Sequence, residues 1–142
     1  MILASLEYLE EAKDRSNSDS EYRRLSKGSN DSYSLVLEAE PERGVAEQVV
    51  VGYDSVDGKI NEVWVGKRPT KFTLAGPYGL WVDILRGELA PTKAVAMRKL
   101  KTQGSFLQLL QEANRMSRWV EILRTIPTEF EGEYAEYNLT GE

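Results

Sequence analysis

Acidic pairs are the commonest groups in this chain with the makings of chemistry: Glu10 with Glu11, Glu38 with Glu40, Asp54 with Asp57, and Glu131 with Glu133. Two carboxylates do acid–base work only where their surroundings push their pKa values apart. Glu38 and Glu40 share one face of a strand and read as solvated. Asp54-Ser55-Val56-Asp57-Gly58 faintly resembles a calcium loop but lacks the later ligands and the bidentate Glu, so it reads as a hairpin turn. Asp83 sits among apolar neighbours and either faces water or orients a ligand headgroup. Gly76-Pro77-Tyr78-Gly79 lacks the Gly-Lys-Ser/Thr ending of a phosphate loop. Arg98, Lys99 and Lys101 form the densest basic cluster, either a solvated strand end or a contact for a phosphate or lipid headgroup. With no His and no Cys in the chain, thiol nucleophiles, His-based triads, disulfides and Cys–His zinc sites are excluded. Any acid–base step would need a shifted carboxylate, Lys or Tyr.

The elements that would position these groups belong to a chain of 142 residues, 41% of them hydrophobic, with a net charge of −5. That is enough for one core, and residues 1–142 read as a single domain. The acidic balance argues against nucleic acid, and against strong attraction to anionic membranes except through a local patch. No apolar run approaches the ~20 residues that span a bilayer, so no stable membrane insertion is expected. The start turns acidic without a basic region, which argues against a secretory signal and for a cytoplasmic protein.

Leu3, Leu6, Tyr8, Leu9 and Ala12 recur at helical spacing and predict an amphipathic helix within residues 1–17, for packing, as a lid or as a lipid-contact helix. Ser18 with Glu21 reads as a capping box for a second helix through Tyr22 and Leu25. Alternation then predicts strands over 32–40, 45–53, 60–65 and 70–75, whose short connections favour antiparallel neighbours. Pro77 opens a helix that Gly87 ends, Pro91 opens another, and residues 100–104 suit a short late strand. From a Ser105 cap, Phe106, Leu109, Leu110, Ala113, Met116, Val120 and Leu123 form one stripe, with a bend expected near Asn114-Arg115 and a stop at Pro127. Residues 131–142 form an acidic tail, a loose end or a strap over a neighbour.

The motifs from Gly76 to Gly104 carry a resemblance. Trp81, Ile84 and Leu85, then Gly87-Glu88-Leu89-Ala90-Pro91-Thr92-Lys93-Ala94, then Lys99-Leu100-Lys101-Thr102-Gln103-Gly104-Ser105 stand in an order that resembles the closing half of the sterol carrier protein type-two domain, a lipid-binding family. The likeness extends more loosely over about residues 18–130. It implies an α+β fold, with a mostly antiparallel five-stranded sheet, helices packed on one face, and an apolar tunnel between sheet and helices.

The resemblance also implies a function: non-enzymatic binding or transfer of a lipid, whether fatty acyl chain, acyl-CoA, isoprenoid or sterol-like molecule, with no cofactor and no metal. Trp81, Leu85, Met97, Phe106, Leu110, Met116, Trp119 and Ile126 are the candidate cavity lining, each also readable as plain core. The alternative is a protein-interaction or homodimerising module, whose groove receives the 134–139 tail of a partner. An enzyme with a buried carboxylate or Lys base is the third reading.

Overall fold

The computed structural model describes residues 1–141. Two helices, α1 (Leu6–Asn17) and α2 (Ser20–Ser26), precede strands β1 (Ser32–Glu38), β2 (Val49–Val56), β3 (Lys59–Val65) and β4 (Phe72–Pro77). Helices α3 (Tyr78–Arg86) and α4 (Pro91–Ala96) follow, then β5 (Lys101–Gln103), α5 (Phe106–Gln111) and α6 (Ala113–Leu123). Short 3-10 turns occupy Pro41–Arg43 and Gly132–Tyr137. Glu142, the last residue of the acidic tail, lies outside the described residues.

Local chemistry accounts for most boundaries. The Ser5 hydroxyl caps α1 by accepting from the Tyr8 N–H, and Ser105 caps α5 by accepting from Gln108. Gly87 ends α3 in the left-handed conformation, φ 82°, that favours glycine. Asp57 and Gly58, both at positive φ, make a two-residue turn between β2 and β3 whose twist matches the strands it joins. The second helix starts one residue later than a Ser18 box requires. Ser18 closes α1, and the Asp19 carboxylate accepts from the Tyr22 N–H at 2.8 Å. Asp19 wins because the same carboxylate also takes two hydrogen bonds from Arg118 of α6. Val45, expected in the second strand, instead bridges back to Glu40 around the 3-10 turn.

The sheet is five-stranded in the order β3-β2-β1-β4-β5, antiparallel throughout except for the β1–β4 pair, which is parallel. This corrects the expectation that short connections make every neighbouring pair antiparallel. The chain from Val65 to Phe72 crosses over instead of turning back. Seven Cα steps reach about 24 Å at most, ample for the three strand spacings of ~4.8 Å between β3 and β4. Pro69 in this segment removes a donor that a hairpin return would use. On the sheet's outer face the crossover is held by Ser34, whose hydroxyl meets that of Thr70 at 2.8 Å. Trp64, on the edge strand β3, lies flat over Gly52 there, and the Arg68 guanidinium sits 4.5 Å above its ring.

Helices cover the other face. Tyr33, Leu35 and Leu37 of β1, Val51 and Tyr53 of β2, and Phe72 and Leu74 of β4 supply its buried side chains. Against them pack Tyr8, Leu9 and Ala12 of α1, Val82, Ile84 and Leu85 of α3, and Met116, Ile122 and Leu123 of α6.

Candidate functional site

Between the sheet and three helices the core leaves a gap of about 60 Å³. Leu9 and Ala12 of α1, Leu35 and Leu37 of β1, Val51 of β2, Trp81 and Leu85 of α3, and Trp119 and Leu123 of α6 are among the residues around it. No polar atom faces it. The Trp81 indole N–H is turned away and donates to the Val36 carbonyl at 2.9 Å. A second, smaller gap of about 10 Å³ continues toward β3 and Ile60, with Leu9, Ala12, Leu35, Val51 and Trp119 as a wall common to both. Dry gaps of this kind forfeit dispersion contacts on the side that is empty. Their lining offers a ligand hydrocarbon contact and nothing else.

One end of the core is closed by a polar cluster. Arg115 of α6 is 3% exposed, and its Nε donates to Glu112 Oε2 at 2.6 Å. Its Nη2 donates to the Tyr33 hydroxyl at 2.6 Å, and Nη1 makes long bonds of 3.4 Å to the hydroxyls of Tyr22 and Tyr53. Tyr33 stacks on both Tyr53 and Phe72 with centroids 5.1 Å apart. Burial works against the Arg115 charge, but the tyrosine oxygens and Glu112 more than offset it, so its pKa is raised. Burial pushes Tyr53 up to about 12, with Arg115 acting the other way, and it raises Tyr33 also.

These shifts predict an alkaline limit. The fold accommodates the neutral hydroxyls, so the stability linked to Tyr53 is fully present below its ordinary pKa of 10.0 and is lost as pH rises through about 12. Tyrosine absorbance followed with circular dichroism should show delayed ionisation coinciding with unfolding, and Tyr53→Phe should remove part of the delayed phase.

The C-terminal segment is strapped over its own chain. Phe130 is buried, and Thr128 and Leu139 pair as a short bridge. The Tyr134 hydroxyl donates to Glu40, which also accepts from the Gly79 N–H at 2.6 Å. Burial and then Glu40 push the Tyr134 pKa up to about 12. Tyr137 lies under the Arg86 guanidinium at 3.8 Å. The 134–139 segment thus packs against α3 of the same chain.

The model of the SCP-2 sterol transfer family matches residues 9–116. The chain belongs to this family. Among solved structures, a crystal structure of sterol carrier protein 2 superposes with a TM-score of 0.78 at 21% identity, covering 86% of this chain and 97% of that one. A conserved hypothetical protein of Thermus thermophilus gives 0.75 at 23% identity, covering 87% of this chain and 89% of its own. Sterol carrier protein 2 of Aedes aegypti, solved in complex with palmitate, gives 0.52 at 17% identity over 80% of this chain and 94% of that one. At these identities the likeness establishes a shared fold. No curated protein matches the sequence.

The SCP-2 match does not contain the whole gap. Leu3, Ala4 and Tyr8 precede it, and Trp119, Val120 and Leu123 follow it, yet all six line the space. Of the eight residues singled out from the sequence, the structure brings Trp81, Leu85 and Trp119 together around the gap. Met116 and Ile126 are buried elsewhere in the core, and Phe106 and Leu110 are half-buried beside it. Met97 points to solvent, 63% exposed. Sequence reasoning passed over Leu9, Ala12 and Leu123 as lining, although the apolar stripe of α1 and the lid reading of that helix carried the signal for the first two, and the Phe106–Leu123 stripe for the third. It took Arg115 only as part of a bend, which the structure puts at Glu112 between α5 and α6, and missed the buried cluster this cation holds.

Proposed function

We propose that this chain binds, without enzymatic chemistry, the hydrocarbon part of a lipid between the sheet and helices α1, α3 and α6. The carrying observation is a gap lined by many side chains that presents no polar atom. An acyl chain, an isoprenoid or a sterol-like skeleton satisfies such a lining, because each buried CH₂ gains about 0.8 kcal/mol there. Membership of the SCP-2 family supports the reading, as does the palmitate complex of the Aedes aegypti protein. The gap of about 60 Å³ is less than half of the ~150 Å³ that admits benzene in an engineered cavity. Ligand entry therefore requires α1 and α6 to move away from the sheet, a displacement of packed helices of the hinge or shear kind. The lipid's polar end stays outside, since no polar atom faces the gap to receive it.

The test is organic extraction of the purified protein with mass spectrometry, together with displacement of a fluorescent fatty-acyl probe. Recovered lipid or saturable displacement is the expected result. Failure to recover any lipid, together with no displacement of the probe, would overturn the proposal.

A further inference from the structure

Between Glu88 and Glu112 the chain carries Lys93, Arg98, Lys99 and Lys101 and no acidic residue. In a protein of net charge −5 this leaves the remainder more acidic than the whole. The fold gathers this stretch into α4, β5 and α5, at one edge of the sheet. All four cations are exposed. Among the described residues Lys93, Arg98 and Lys99 have no ion pair, whereas Lys101 meets Glu38 at 2.6 Å. The nearest other acids in sequence are also engaged, Glu88 by Arg86 and Glu112 by Arg115.

The same stretch carries two exposed large apolar side chains. Met97 is 63% exposed and Leu107 is 66% exposed. They flank a fixed contact: the Arg98 guanidinium lies 4.1 Å over the Phe106 ring, and each exposed residue adjoins one partner of that stack in sequence. The exposed apolar pair near the other end of the chain, Ile2 and Leu6, has Glu7 and Glu10 beside it and lacks this charge.

We infer that the α4–α5 region, with exposed Met97 and Leu107 on either side of the Arg98–Phe106 stack and exposed Lys93 and Lys99 nearby in sequence, docks the protein on the surface of an anionic lipid bilayer. Two apolar side chains reach the boundary between headgroups and acyl chains, while the cations meet phosphate and carboxylate groups. The acidic remainder is repelled by the same surface, so charge sets a single orientation. Contact is peripheral, as no helix among the described residues is long and apolar enough to cross a membrane. α4 packs against α6, whose Trp119 and Leu123 wall the gap, so the docked face lies behind that wall. The inference rests on exposure and charge alone and stands apart from the occupancy of the gap.

Sedimentation with phosphatidylcholine vesicles, with and without about 30% phosphatidylserine, tests it. Binding is expected to the anionic vesicles only, and to weaken as salt rises from about 0.05 to 0.2 M. Lys93→Gln and Lys99→Gln should each lower the partition coefficient about fivefold, and Met97→Ser with Leu107→Ser should lower it further. All four positions are exposed, so circular dichroism should be unchanged. The wild-type lipid and salt dependences establish docking, and the single Lys93→Gln and Lys99→Gln variants assign it to this face even if the serine pair misfolds. Absent binding, equal binding to neutral vesicles, or indifference to the substitutions would overturn the inference. So would a wild-type dimer that Met97→Ser with Leu107→Ser dissolves, since the face would then be a contact between two copies.

Discussion

Arg115→Ala is expected to lower the unfolding free energy by about 3–5 kcal/mol, chiefly because buried tyrosine hydroxyls lose their donor at about 1–3 kcal/mol each. The substitution strands Glu112 and removes the donor shared by the hydroxyls of Tyr22, Tyr33 and Tyr53. It also empties the volume over the Tyr33 ring, where the guanidinium now lies 5.1 Å from the centroid. Each hydroxyl left buried without a partner adds to the loss. Urea unfolding measures it as a shifted midpoint at constant slope. Glu112→Ala alone should cost less, because Glu112 is partly exposed and Arg115 keeps its tyrosines. Adding Glu112→Ala to Arg115→Ala should add little, so the double-mutant cycle should show coupling of ~0.5–3 kcal/mol. Strictly additive losses would mean that the ion pair is incidental and that packing alone sets the effect.

That cluster marks where the sequence stops being readable. Punctuation by glycine and proline made residues 76–104 legible: Pro77, Gly87, Pro91 and Gly104 act within a few residues of themselves, and the structure places the element boundaries there. Ser105 is local in the same way. The parallel β1–β4 pair depends on where residue 72 arrives after a crossover, which no local signal encodes. Arg115 depends on tyrosines 62 to 93 residues away in sequence, so locally it reads only as part of a helix bend. Met97 shows the converse. Ala94, Val95, Met97 and Leu100 offer an apolar side at helical spacing, but Ala94, Val95 and Leu100 fill the buried positions. The helix ends at Ala96, and Met97, as its cap, is left on the surface. The gap is legible only as a list of apolar residues, since a stripe that fills its core and a stripe that falls short of filling it have the same spacing.

Whether that shortfall is used for binding is best decided by two substitutions with opposed effects. Ala12 is 3% exposed and lines both gaps, so Ala12→Leu places a branched side chain where the hydrocarbon would lie. Leu123, on the facing helix α6, is 6% exposed, and Leu123→Ala enlarges the same space. If four or five methylenes of a ligand occupy this region, Ala12→Leu should weaken binding of an acyl probe by roughly 100- to 1000-fold, from ~0.8 kcal/mol for each. Leu123→Ala should tighten binding of the same probe or admit a bulkier one. Stability behaves differently: overpacking by Ala12→Leu costs about 1–3 kcal/mol, and truncation at Leu123 costs about 2–5 kcal/mol. Both variants are therefore less stable, while their affinities diverge. A general loosening of the fold would move both affinities together. Parallel losses in the two variants, measured by probe displacement at matched folded fractions, would place the ligand elsewhere and leave the gap as a packing defect.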